Sequence, residues 1–119
     1  MENKPTDTSL PINRAEALDR IGGDPDFLKE LLGIYKQDFL VRAKELRRAV
    51  RSGEFVAIQE LGHSLKGASA NLSLPGLQKA ATSLEKAGRE LDIKQAIAAL
   101  AILEKEFERL KEFLAQTPV

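Results

Sequence analysis

The sequence predicts an all-α protein, an antiparallel up-down-up-down four-helix bundle with a short extra N-terminal helix. Apolar residues recur at alternating spacings of three and four along four long segments, as in helices that bury one face. No segment of useful length alternates apolar and polar residues as a half-buried strand would. The connections between the long segments are short, and short connections make neighbouring helices antiparallel.

The composition of the chain excludes several classes of binding site and partner. The 119 residues suffice for one hydrophobic core, and 18 basic against 18 acidic residues leave no formal net charge. This balance favours neither nucleic acid nor an anionic membrane as a partner. With no cysteine and one histidine, the chain can form no disulfide and no multi-histidine metal site. No apolar run approaches the roughly 20 residues that span a bilayer, so we expect a cytoplasmic protein, and we expect it to be a monomer.

The N-terminal part is predicted to be a flexible leader over residues 1–12, followed by one helical domain over residues 13–117. Asn13 and Glu16 form a capping box that opens a short helix over residues 14–21. Asp24 and Pro25 then supply an N-cap and a first helical residue. The long helix that they open runs to about residue 51, and its apolar seam is Leu28, Leu32, Tyr35, Phe39, Leu46 and Ala49.

Three further helices complete the predicted bundle. The central helix covers residues 54–72, and its seam is Ile58, Leu61, Leu65, Ala68 and Leu72. The next helix covers about residues 76–90, and its buried positions are Leu77, Ala80, Ala81, Leu84, Ala87 and Leu91. A second capping box, Asp92 with Gln95, opens the last helix, whose seam is Ile93, Ile97, Leu100, Leu103, Phe107, Leu110 and Leu114.

The single histidine, His63, lies off the seam of the central helix. At about 100° per residue it is roughly 200° past Leu61, so it points away from the core. Lys66 and Gly67 follow three and four residues later and share its face. We therefore expect an exposed imidazole with a cation one turn away, and with an open approach because Gly62 and Gly67 carry no side chain.

These residue types suit phosphoryl transfer to a histidine. Such transfer depends mostly on positioning and charge stabilisation, and a neutral histidine is a good acceptor near physiological pH. The bound phosphoryl group would carry a charge of about −1.5 to −2, which the flexible Lys66 could stabilise. Gly67 in mid-helix costs roughly 1 kcal/mol relative to alanine. Access to His63 is one reason for that cost, and close helix packing is the other.

The turn at residues 73–75 places a carboxylate near the histidine. His63 lies eleven residues before Leu74 and Glu85 lies eleven after it, so an antiparallel hairpin puts them side by side. A carboxylate that accepts a hydrogen bond from Nδ1–H would leave the Nε2 lone pair free. The alternative is an ordinary exposed glutamate, paired with Arg89 one turn later.

The run from His63 to Leu72 resembles the His-x-x-Lys-Gly signature of histidine-containing phosphotransfer (Hpt) domains. Leu77 and the pair Leu84-Glu85 are also similar to the family pattern, and the resemblance is strongest over about residues 58–90. One departure is Ser73, where the family usually has glycine. The resemblance implies an intermediate of a multistep two-component phosphorelay, without autonomous kinase activity.

The resemblance also implies the partners. The donor would be a phospho-aspartate on a response-regulator receiver domain or on a hybrid sensor histidine kinase, and a second receiver would accept the phosphoryl group. The chain would need no cofactor of its own, because the partner receiver brings a magnesium ion. A receiver could dock on apolar residues of the long second helix that lie off its seam, which are Phe27, Ile34, Leu40 and Val41.

Two other functions stay open. The chain could be a non-catalytic helical interaction or structural bundle in which His63 is incidental. It could also be the dimerisation and phosphoacceptor part of a histidine kinase, although no ATP-binding segment or glycine-rich phosphate loop is present.

Overall fold

The computed structural model describes residues 10–117, and the chain forms five α-helices and no strand within them. The helices are α1 (Arg14–Arg20), α2 (Pro25–Ser52), α3 (Phe55–Asn71), α4 (Pro75–Arg89) and α5 (Ile93–Gln116). Connections of two or three residues join the four long helices, so neighbouring helices run antiparallel. The predicted fold class is confirmed.

Side-chain caps begin three of these helices where the sequence predicted them. Oxygen atoms of Asn13, Asp24 and Asp92 accept hydrogen bonds from backbone N–H groups in the first turns of α1, α2 and α5. The backbone N–H of Asn13 donates to the carbonyl of Ser73 at 2.9 Å, and not to the Glu16 side chain that a full capping box requires. This bond ties the start of α1 to the turn between α3 and α4.

The core lies between the four long helices. Its largest fully buried apolar side chains are Ile12, Leu28, Phe39, Leu46, Ile58, Leu65, Leu74, Leu77, Leu84, Leu103 and Leu110. The rings of Phe39 and Phe107 stack with their centroids 3.9 Å apart and join α2 to α5. The hydroxyls of Tyr35 and Ser69 share a buried hydrogen bond of 2.8 Å that joins α2 to α3.

Residues 1–9 of the predicted leader lie outside the described residues. Within the remainder, Pro11 and Ile12 are buried, and Ile12 is 1% exposed. The apolar packing therefore begins before Asn13, the residue at which the sequence placed the start of the domain.

Two apolar residues predicted to be buried near the start of α5 are exposed. Leu91 is 68% exposed and lies in the α4–α5 turn with a φ of 58°. Ile97 is 56% exposed, and α5 packs there through the small residues Ala96 and Ala99. The prediction was wrong for Leu91 because this residue lies in the turn after α4 has ended, and it was wrong for Ile97 because α5 buries Ala96 and Ala99 instead.

The buried face of α3 is also shifted from the predicted seam. Gly62 and Ser69 are fully buried, whereas Leu61 and Ala68 are half-buried. Because α3 packs against both α2 and α4, its buried face is wider than one seam, and its centre lies one residue further along the chain than predicted.

Candidate functional site

His63 lies on the outer face of α3, with 69% of its side chain exposed. Helix α3 buries the preceding Gly62 and, on the next turn, Leu65, so the imidazole points away from the core as the sequence predicted. The ring therefore lies at the surface, while the helix that carries it is packed against both α2 and α4.

Helix α4 brings Glu85 against the histidine. The Nδ1 atom of His63 lies 2.8 Å from Oε2 of Glu85, as the hairpin register predicted. An ionised carboxylate can only accept a hydrogen bond, so Nδ1 carries the proton and donates. In the neutral ring this arrangement leaves the lone pair on Nε2.

Lys66 binds the same carboxylate. Its Nζ atom lies 2.7 Å from Oε1 of Glu85, so each oxygen of Glu85 bonds a different residue of α3. The Lys66 ammonium first, and the hydrogen bond from His63 second, hold the pKa of Glu85 below its ordinary 4.5. The Glu85 side chain is 14% exposed, and it stays ionised at neutral pH.

The two glycines on either side of the histidine differ in their surroundings. A Cβ added to Gly67 meets nothing within 4 Å, which excludes close helix packing as the reason for that glycine. A Cβ added to Gly62 would lie 2.6 Å from the backbone nitrogen of Glu85. The expectation that Gly62 keeps the approach to His63 open is therefore wrong, because Gly62 is buried against α4.

Three exposed apolar residues repeat every seven positions along α2. Phe27, Ile34 and Val41 are 43%, 60% and 60% exposed, and a seven-residue spacing places them on one stripe of the helix. Ile34 directly precedes Tyr35, whose hydroxyl bonds Ser69 of α3. The stripe therefore borders α3. The fourth predicted residue, Leu40, is 54% exposed but lines the groove between α2 and α5. We call Phe27, Ile34 and Val41 the apolar stripe.

Two structural absences bear on the site. Within residues 10–117, no cluster of three or more histidine, cysteine or acidic side chains could hold a metal ion. Across the same described range, no helix is long and apolar enough to cross a membrane.

Two contacts of the site were missed at the sequence level. Lys66 was expected to be available for a phosphoryl group, and its ion pair with Glu85 was not foreseen. Nor was the contact between Gly62 and the backbone of Glu85. The hairpin register that placed Glu85 near His63 also puts Gly62 and Lys66 close to its level, but it does not specify how closely the two helices approach.

The chain and its fold are similar to known proteins. The family model described as Hpt domain matches residues 30–113. The fold is similar to that in the crystal structure of histidine-containing phosphotransfer protein B (HptB) from Pseudomonas aeruginosa PAO1. That match has 24% sequence identity and a TM-score of 0.81, and it covers 89% of this chain and 92% of the other.

The search among curated proteins returns no significant match. The structural likeness, at its low identity, shows the fold, whereas the family model matches well over half of the chain. The family resemblance predicted from the sequence is confirmed. The chain belongs to the Hpt domain family, the histidine phosphotransfer proteins of phosphorelay signalling.

Proposed function

We propose that His63 accepts a phosphoryl group from the phospho-aspartate of a response-regulator receiver domain and passes it to another receiver. The observation that carries this proposal is the bond between Nδ1 of His63 and Glu85 on an imidazole that is 69% exposed. Glu85 holds the ring through Nδ1, and Nε2 keeps its lone pair and is the nucleophile.

The transfer needs no proton movement within this chain. The Nε2 lone pair attacks the phosphorus atom, an N–P bond forms, and the P–O bond to the aspartyl group breaks to release its carboxylate. The ring then carries hydrogen on Nδ1 and the phosphoryl group on Nε2, and so it gains positive charge. Glu85, which is ionised and bonded to Nδ1, stabilises that charge in the way that a buried aspartate stabilises an imidazolium.

Lys66 is the cation closest in sequence to the acceptor on its own face of α3. In the unphosphorylated protein its ammonium bonds Glu85, and its side chain is one-third exposed. When His63 carries a phosphoryl group, with its charge of about −1.5 to −2, Lys66 turns towards the phosphoryl oxygens. Its flexible stem allows this movement.

Gly67 supports the approach of the partner. It is exposed, and the space that a side chain would occupy is empty. A receiver must bring its aspartyl phosphate to the imidazole, so the absence of a side chain one turn from His63 leaves room for the receiver's loops.

The apolar stripe on α2 supplies the docking surface in this proposal. Tyr35 lies opposite Ser69, and in an antiparallel pair this register places Val41 at the level of His63. An apolar patch beside the acceptor would bury against the receiver, and burial of apolar area drives protein association.

The proposal also covers the partners of the chain, its oligomeric state and its location in the cell. Receiver domains and hybrid sensor kinases are the proposed partners, the magnesium ion comes with the receiver, and this chain has no autonomous kinase activity. We also propose that it works as a cytoplasmic monomer, as the sequence led us to expect.

Incubation with a panel of phosphorylated receiver domains tests the proposal. We expect acid-labile, base-stable label on the native protein and none on the His63→Gln variant. If the folded native protein takes no label from any receiver, the chain is a non-catalytic helical bundle, and the proposal is wrong.

Two variants of Glu85 separate its roles. Glu85→Gln retains an oxygen that accepts from Nδ1–H but removes the charge, whereas Glu85→Ala removes both. We expect the alanine variant to transfer more slowly than the glutamine variant. Equal rates for Glu85→Ala and the native protein would exclude an orienting role.

A further inference from the structure

The helices α3 and α4 approach each other closely beside the acceptor. A Cβ added to Gly62 would lie 2.6 Å from the backbone nitrogen of Glu85, 3.0 Å from its Cα and 3.1 Å from the carbonyl oxygen of Ala81. These are rigid backbone atoms, so an added methyl group could be relieved only by moving the helices apart. The backbone of Glu85 thus touches the residue that precedes His63.

Both oxygens of Glu85 are engaged across this contact. They bond His63 at 2.8 Å and Lys66 at 2.7 Å, so a shift of α4 acts on two bonds at once. To bring the added Cβ from 2.6 Å to the 3.4 Å of ordinary contact, α4 must recede by about 0.8 Å. With the Glu85 side chain in its present conformation, the bond to Nδ1 would then stretch to about 3.6 Å, which is too long for a hydrogen bond.

We propose that Gly62 is a positioning residue for the phosphoacceptor. Because it has no Cβ, α4 approaches until the carboxylate of Glu85 bonds both His63 and Lys66. Gly62 is buried against α4, and it acts through Glu85. This inference rests on the proposed function of His63, but it concerns the tautomer of the ring, which can be measured without any transfer.

The same pair of helices offers a matched control. Gly88 of α4 is also buried, and an added Cβ would lie 2.5 Å from the backbone nitrogen of Gln59 and 2.7 Å from the carbonyl oxygen of Phe55. Its contact is also with backbone atoms of the facing helix, and it is somewhat tighter than that of Gly62. It lies about one turn further from the Glu85 carboxylate, at the level of Gln59 rather than His63.

The test compares Gly62→Ala with Gly88→Ala in two measurements. The ¹⁵N chemical shifts of the imidazole report the fraction of neutral His63 that is protonated on Nδ1. Transfer from a phosphorylated receiver domain, followed over a range of receiver concentrations, separates kcat from KM. Both variants should lower Tm, and Gly88→Ala should lower it at least as much as Gly62→Ala because its clash is the tighter one.

We expect Gly62→Ala alone to shift the ring towards the Nε2–H tautomer. Its kcat should fall by about tenfold or more, by analogy with the loss of the hydrogen-bond partner that orients a metal-binding histidine, with KM little changed. Gly88→Ala should retain both the native tautomer and the native rate. A native tautomer and kcat in folded Gly62→Ala, or parallel losses in both variants, would overturn the inference.

The test still gives an answer if Gly62→Ala does not fold or if the native protein takes no label. If Gly62→Ala does not fold alone, it is made in a Gly33→Ala background, since a Cβ at Gly33 of α2 meets nothing within 4 Å and alanine favours the helix. If the native protein takes no label from any receiver, the proposed function fails. The tautomer measurement still decides whether Gly62 positions Glu85 on His63.

Discussion

Replacement of Gly67 with alanine should make the protein more stable and slower at phosphoryl transfer. The added Cβ meets nothing within 4 Å, so the folded state accepts it without a clash. Alanine is more favourable than glycine in a helix interior by about 0.8–1.0 kcal/mol. For a domain of this size, that gain in the free energy of unfolding corresponds to a rise in Tm of roughly 3–6 °C.

The effect on transfer comes from the partner and not from this chain. Gly67 stands one turn from His63 on the exposed face of α3, where, in the proposed function, the receiver brings its aspartyl phosphate. One extra methyl group in a closely fitted contact costs about 1–3 kcal/mol. If that energy is lost in the transition state, transfer slows by roughly fivefold to 150-fold.

The variant Gly33→Ala is the control for this prediction. Gly33 also lies in mid-helix with open space at its Cβ position. It is two residues, or about 200°, from Tyr35, which faces α3. Both variants should gain similar stability, measured by thermal unfolding followed with circular dichroism, and only Gly67→Ala should transfer slowly. A lower Tm would refute the open-space argument, and equal transfer rates in the two variants would refute the access role.

Three further predictions concern stability. Burial raises the pKa of Tyr35 to about 12, so the unfolded state loses this proton first. The free energy of unfolding should therefore fall by about 1.4 kcal/mol per pH unit between pH 10 and 12. Urea titrations should show a flatter profile for Tyr35→Phe, and identical slopes would contradict the assignment. The pKa of Glu85 is lowered from 4.5 by Lys66 and then His63. Its contribution to stability is therefore complete above about pH 4.5 and is lost as the pH falls through the lowered value. Glu85→Gln should lose less stability than the native protein over that acid range, and an equal loss would refute this linkage. Ser73 has a φ of 57°, and its buried hydroxyl finds no hydrogen-bond partner among the described residues. Ser73→Gly should raise the free energy of unfolding by about 1 kcal/mol, seen as a higher urea midpoint, and a lower midpoint would contradict this account.

Much of the fold could be predicted because helix caps and short turns depend on residues that are close together in the sequence. Side chains of Asn13, Asp24 and Asp92 cap helices through bonds to N–H groups two or three residues away, so the helix starts are readable from short windows of sequence. The position of Glu85 beside His63 was predictable for a related reason. A short turn sets the register of an antiparallel hairpin, and counting residues from the turn is then enough.

The predictions of burial that were wrong concern positions whose exposure depends on which helices pack on either side. Periodicity locates an apolar seam, but α3 packs on both α2 and α4, and that arrangement decided that Gly62 is buried. The exposure of Ile97 has the same origin, since α5 meets α4 through alanines instead. Neither outcome follows from one helix considered alone.

The sequence by itself determined the helical bundle, the outward histidine and the family, because capping, periodicity and the His-x-x-Lys-Gly spacing are properties of contiguous residues. Only the tertiary structure decided how the site is assembled. Glu85 bonds His63 and Lys66 together, and it reaches both across the close contact at Gly62. Those distances of less than 3 Å arise from the packing of two helices, which sequence spacing cannot specify.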